Sequence, residues 1–131
     1  MTVATCIQTP TKFQRRTVDD ATAIPIGTIM KLTTGNVAIT SSGNNDPFAG
    51  IAWEEKTAND GLVELTVAMN GRWSTTSTVA AIGVGVPVAI GGTNAVRAVI
   101  EADVALGCEL QARCLNTLGG GGGTAIIEFY Y

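Results

Sequence analysis

The fold is decided by the stretch LVELTVAMNG, residues 62–71. Its side chains alternate along an extended chain, with Val63, Leu65, Val67 and Met69 on one face and Glu64 and Thr66 on the other. Such alternation is typical of a half-buried β-strand. Asn70-Gly71 follows at once, and both residue types tolerate the positive φ angles of a type I′ hairpin turn. The stretch therefore predicts a strand that ends in a tight hairpin.

The same pattern recurs on both sides of this stretch. Clusters of turn-forming residues at 33–36, 41–47, 59–61 and 91–94 separate short runs rich in Val, Ile and Thr. Alternation returns near the C-terminus, where Cys108, Leu110, Ala112 and Cys114 share one face, and later Ile127, Phe129 and Tyr131. One short helix is expected at Glu101–Leu106. The prediction is an all-β protein, a single small β-barrel or β-tulip-like sandwich.

The N-terminal residues differ from the rest of the chain. Residues 1–23 show little alternation and are predicted to form an extended arm, with an ordinary edge strand as the alternative. Residues 24–131 are predicted to form the barrel domain. Within it, the run Gly119–Gly123 is expected to be a flexible hairpin tip.

Composition excludes several classes of function. The chain has 131 residues, a net charge of −3 and only 15% charged residues, so it lacks the basic patch that nucleic-acid binding needs. No apolar run has the length of a membrane span, and no signal peptide is recognisable. The three cysteines, Cys6, Cys108 and Cys114, are expected to be reduced in a protein that folds in a reducing cytoplasm, with Cys108 and Cys114 as small buried side chains.

Sequence motifs for catalysis or metal binding are also missing. Histidine is absent, no CxxC pair occurs, and Gly83–Val88 lacks the third glycine of a dinucleotide-binding loop. Asn44-Asn45-Asp46 resembles only part of a calcium loop, and the carboxylates are expected to be solvated surface groups. We therefore expect no enzyme activity, catalytic residue, metal, cofactor or small-molecule substrate.

Protein contacts are the remaining function, and a few residues are candidates for making them. Trp and Tyr are enriched at protein interfaces, and an exposed basic pair can meet an acidic partner. The candidate interface residues are Arg15, Arg16, Trp53, Tyr130 and Tyr131. Phe48 and Trp73 are expected to fill the core instead.

Four segments in order give the chain a family resemblance. They are IPIGTIMKL at 24–32, DPFAGIA at 46–52, NGRW at 70–73 and VGVPV at 84–88. Over Ile24 to about Val99, the chain resembles the small capsid decoration, or cement, proteins of tailed bacteriophages. The resemblance rests on the order and spacing of turn-and-strand segments.

The resemblance implies a structural protein of the virion. Such proteins are compact, commonly homotrimeric β-domains that bind the major capsid protein on the outside of the assembled head and stabilise it. It implies no catalytic site, nucleic-acid partner or membrane partner. Two alternatives remain open: another virion part, such as a tail or head-fibre base, and a carbohydrate-binding β-module.

Overall fold

The structure is a computed structural model that describes residues 3–44, 46–78, 82–99, 109–116 and 123–130. It is all-β, as the sequence predicts. The strands within the described residues are β1 Thr5–Gln8, β2 Phe13–Thr17, β3 Ile29–Leu32, β4 Ala38–Thr40, β5 Phe48–Ala52, β6 Glu64–Ala68, β7 Arg72–Ser77, β8 Pro87–Gly92, β9 Ala95–Ala98, β10 Glu109–Cys114 and β11 Gly123–Phe129. A short 3-10 turn, Thr34–Asn36, joins β3 to β4.

Five strands close into a barrel in the order β7-β11-β10-β8-β9. Closure comes from the parallel pairing of β7 with β9, which sets Thr76 beside Ala95 and Ser77 beside Val96. The predicted turn at 91–94 is confirmed and joins a hairpin, because β8 and β9 are antiparallel neighbours and Asn94 has a φ of 52°. We call this unit the first barrel.

The other strands form a second sheet in the order β2-β6-β5-β3-β4. A single parallel bridge between Thr17 and Val37 brings its two edges together. The alternation predicted for residues 62–69 holds from Glu64 to Val67, where Leu65 and Val67 are buried and Glu64 is exposed. It fails at Val63, which precedes the strand and is 57% exposed, and at Ala68, which is buried.

Two hydrophobic cores result from this arrangement. The first lies in the first barrel around Trp73, and the second lies on the inner face of the second sheet around Leu65 and Val67. The second sheet also contributes to the first core from its outer face, through Ile29, Ile51 and Ala68. It is therefore apolar on both faces, and the two units pack as one body.

The N-terminal residues belong to both units. Thr5–Gln8 pairs with β7 of the first barrel, and Phe13–Thr17 pairs with β6 of the second sheet. Both are edge strands, so these two segments follow the edge-strand alternative. The segment between them crosses from one unit to the other.

The hairpin predicted at Asn70-Gly71 is wrong. Strands β6 and β7 do not pair with each other, since the turn carries the chain from the second sheet into the first barrel. Only Gly71 has a positive φ, 103°. Asn70 instead uses its side-chain oxygen to accept hydrogen bonds from the backbone N–H groups of Thr11 and Lys12, at 2.8 and 3.1 Å. The conformation of this turn therefore depends on the contact of Asn70 with Thr11 and Lys12, which are distant in sequence.

The cysteine prediction holds for Cys114, and Cys6 is a free thiol as predicted. Cys114 is buried in the first core, whereas Cys6 is exposed on β1, which has exposed side chains throughout; both are free thiols. Cys108, Tyr131, the helix expected at Glu101–Leu106 and all of the glycine run except Gly123 lie outside the described residues.

Candidate interaction surface

Arg15, a predicted interface residue, lies on the outer face of β2 and is tied to its own molecule. Its guanidinium donates to Glu54 Oε1 at 3.0 Å and to Thr66 Oγ1 at 2.8 Å, and lies 3.7 Å from Glu64. Hydrogen bonds from Thr66, through its side chain and backbone N–H, and the charge of Arg15 hold the pKa of Glu54 below its ordinary value. The side chain of Arg15 remains 54% exposed.

Arg16, the second predicted residue, points the other way. Its Nε donates to the backbone oxygen of Ala49 at 2.9 Å. Ala49 lies where the pairing of β3 with β5 shifts register, so Arg16 satisfies a carbonyl beside this irregularity. This contact gives Arg16 a role within the fold.

Trp53 is half-buried and belongs to a row of three rings. Its ring centroid lies 6.1 Å from that of buried Trp73 and 5.7 Å from that of Phe13. Phe13, on edge strand β2, is 42% exposed. The row therefore runs from the first core to the surface. Sequence reasoning missed Phe13 because it lies within residues 1–23, which show little alternation and are predicted to form an arm.

Tyr130 lies elsewhere, on the first barrel just after β11, and is 45% exposed. A nearby cleft of about 220 Å³ is lined by Gln8, Thr9, Thr11, Asn70, Gly71, Glu128 and Phe129. Its one carboxylate, Glu128, contacts Arg72 at 2.7 Å and Arg113 at 3.3 Å, and these arginines hold its pKa below the ordinary value. Glu128 thus joins β11 to β7 and β10 as an ion-pair partner.

A further surface is formed by residues 18–28 and 53–63, which we call the loop pair. Ile24 and Lys56 exchange two backbone hydrogen bonds of 2.9 and 3.0 Å, and Asn59 N–H donates to Asp20 O at 2.8 Å. Lys56 is fully buried, although the sequence gives no sign of it. Its ammonium donates to Asp20 O at 2.7 Å, Thr57 O at 3.1 Å and Asp60 Oδ1 at 3.0 Å.

Asp60 completes the frame of the loop pair. Its carboxylate also accepts the N–H groups of Leu62 and Thr57, at 3.0 and 3.1 Å. The hydrogen bond from the Leu62 N–H contributes most to lowering the pKa of Asp60, and the Lys56 ammonium contributes next. Asp60 and Asp20 lie at the surface, as predicted, and their carboxylates are also partners of a buried lysine.

This rigid frame presents apolar side chains to solvent. Leu62, Val63 and Ile26 are 44%, 57% and 48% exposed. Leu62 and Val63 directly follow the turn that Asp60 fixes, and Val63 O accepts a hydrogen bond from Val18 N–H. A large apolar side chain on a fixed backbone loses little conformational freedom when a protein covers it.

The partial calcium-loop motif has a different role. Asp46 Oδ2 accepts the N–H groups of Ser42 and Gly43, both at 2.9 Å, and Lys31 lies 3.4 Å from Oδ1. Burial pushes the pKa of Asp46 upward, but these two N–H groups and Lys31 outweigh it and lower the pKa. The described residues contain no cluster of three metal-ligating side chains.

Comparison with known proteins does not assign the chain to a family. No family model matches it, and no curated protein is significantly similar to it. Within the described part of the chain, no helix has both the length and the apolar character needed to cross a bilayer.

Proposed function

We propose that this protein is a non-enzymatic capsid decoration protein that binds the outside of an assembled phage head and stabilises it. The observation that carries the proposal is the loop pair, a surface with exposed apolar side chains whose backbone is fixed by buried Lys56. The resemblance of residues 24–99 to decoration proteins supplies the choice of partner, the major capsid protein.

The other groups support a binding role over a catalytic one. Glu54, Asp60, Asp46 and Glu128 are each joined to a cationic side chain of the same molecule. These carboxylates link neighbouring strands and loops, and the links restrict the movement of the surface. A protein that binds assembled heads but not loose subunits stabilises the assembled form by mass action.

Heads prepared from a phage that lacks this gene provide the test. We expect the purified protein to co-sediment with mature heads and to leave loose capsid subunits in the supernatant. Decorated heads should also withstand a higher temperature before they release DNA. A protein that stays in the supernatant with both preparations would contradict the proposal.

Two variants locate the contact. Leu62→Asp combined with Val63→Asp places two charges on the loop pair and should abolish co-sedimentation. Val84→Asp is the matched control, because Val84 is 64% exposed but lies next to the first barrel, between β7 and β8. If the double variant binds as well as Val84→Asp, the loop pair is not the contact surface.

A further inference from the structure

Edge strand β2 has backbone groups that face away from its sheet. At its two ends, Lys12 O accepts from Met69 N–H and Val18 N–H donates to Val63 O, both at 2.9 Å. Antiparallel pairing alternates, so Gln14 and Arg16 also face β6, while the N–H and C=O groups of Phe13 and Arg15 point outward. No described strand pairs with that side of residues 13–16, since the sheet ends at β2.

The charge that would ordinarily protect such an edge is drawn away from it. Charged side chains on edge strands discourage pairing with another chain. Here Glu54 and Thr66 hold the Arg15 guanidinium back over the sheet, and Glu54 and Glu64 balance its charge. Within the described residues, the outward N–H and C=O groups of Phe13 and Arg15 therefore have no strand beside them and no charged side chain over the edge.

We propose that the strand that adds to this edge is β2 of a second copy of the same chain, in an antiparallel pairing about a twofold axis at Gln14. In this register Phe13 lies opposite Arg15 of the second copy, Arg15 lies opposite Phe13, and the two Gln14 residues face each other. Two outward residues from each chain form about four hydrogen bonds, since each residue has one donor and one acceptor.

The side chains favour a second copy over an unrelated peptide. Phe13 and Arg15 share the outer face, so the twofold axis brings each phenyl ring beside the aliphatic stem of Arg15 in the other chain, while each guanidinium stays over its own sheet. It also extends the aromatic row of Phe13 and Trp53. The pairing is limited to residues 13–15, because Thr17 already bridges Val37. The dimer is therefore expected to dissociate on dilution.

This inference does not rest on the proposed function, since it concerns the purified chain without heads. It also differs from the trimer that the family resemblance implies, so the measured mass distinguishes the two. Sedimentation equilibrium over a concentration series should show the mass rise from 13.5 kDa toward twice that value. A mass that stays at one chain, or reaches three chains, would overturn the twofold pairing.

A charged substitution on the edge strand tests where the dimer interface lies. Phe13→Lys places an ammonium opposite Arg15 of the second copy and should keep the protein at 13.5 kDa at every concentration. Ile7→Lys is the matched control, because Ile7 is 50% exposed on the other N-terminal edge strand, β1. Dissociation by Ile7→Lys, with Phe13→Lys still dimeric, would move the interface to β1 and overturn the proposal. Circular dichroism checks that both variants are folded.

A disulfide tests the register itself. Residues opposite each other at a non-hydrogen-bonded position have Cα atoms about 4.5 Å apart, which a disulfide can span. In a Cys6→Ser background, Gln14→Cys should give a covalent dimer on mild oxidation, whereas Thr5→Cys and the background protein should not. Equal cross-linking by Thr5→Cys, or none by Gln14→Cys, would rule out the twofold axis at Gln14.

Discussion

Lys56 is the residue on which the loop pair depends most. Its ammonium is removed from water and has Asp20 and Asp60 as partners, so its removal leaves a carboxylate and two carbonyl oxygens without their donor. We expect Lys56→Met to lower the free energy of unfolding by about 1–3 kcal/mol, the scale of leaving hydrogen-bond acceptors without a partner. Urea denaturation measures the change.

Lys12→Met is the control for this prediction. Lys12 is exposed, and substitutions at exposed positions usually change stability by about 0.5 kcal/mol or less. The two variants lose the same charge and gain the same side chain, so their difference isolates the buried environment. If both variants unfold at the same urea concentration, Lys56 does not stabilise the loop pair.

At the scale of the element, the crossing from β1 to β2 depends on the side chain of Asn70. Asn70→Ala removes the acceptor for two backbone N–H groups and should destabilise the protein by about 1–2 kcal/mol. Asn70→Asp keeps an acceptor oxygen there and should lose less. Amide hydrogen exchange gives a local check, because the N–H groups of Thr11 and Lys12 should exchange faster in Asn70→Ala. Unchanged exchange there would contradict this role.

Elements with one buried face were predictable from sequence, and others were not. Strand β6, and β10 with buried Leu110 and Ala112, alternate because one face of each lies on a core. The four residues of β1 are all exposed, so nothing in their pattern marks a strand. The turn at Asn70 was misassigned because local turn preferences do not show which strands pair.

Some residues of the candidate surface were likewise predictable from the sequence, and others were not. Trp53 was predicted as an interface residue from its residue type, and it does reach the surface row with Phe13. Lys56 could not be found, because a lysine is ordinarily solvated and its partners lie in two separate turns. Burial of a charged group depends on tertiary contacts, which a single sequence does not display.

At the scale of the molecule, the two units are joined by polar contacts as well as by shared core residues. Buried Asn94, in the β8–β9 hairpin, accepts from Ile29 N–H at 2.8 Å, and its own N–H donates to Ser41 Oγ at 2.9 Å. Ser41 Oγ in turn donates to Gly92 O at 2.9 Å. Because the first core also contains Ile51 and Ala68 of the second sheet, we expect the two units to unfold together.

Between acid and neutral pH, the stability of this whole unit should change in one direction. Asp46, Glu54, Asp60 and Glu128 all have a pKa below the ordinary 3.8 of Asp or 4.5 of Glu. A carboxylate with a lower pKa in the folded state stabilises the protein fully above the unfolded pKa, and that contribution is lost as the pH falls through the folded value. The chain has no histidine to titrate near neutrality.

The melting temperature should therefore stay nearly constant from about pH 8 to about pH 5.5 and fall steeply below about pH 4.5. Glu54→Gln removes one of the four groups and should make the fall shallower, while lowering the melting temperature at pH 7. Differential scanning calorimetry across the range measures both effects. A decline that begins above pH 6 would mean that a group other than these carboxylates controls stability, because protonation of all four belongs to the acid side of their ordinary pKa values.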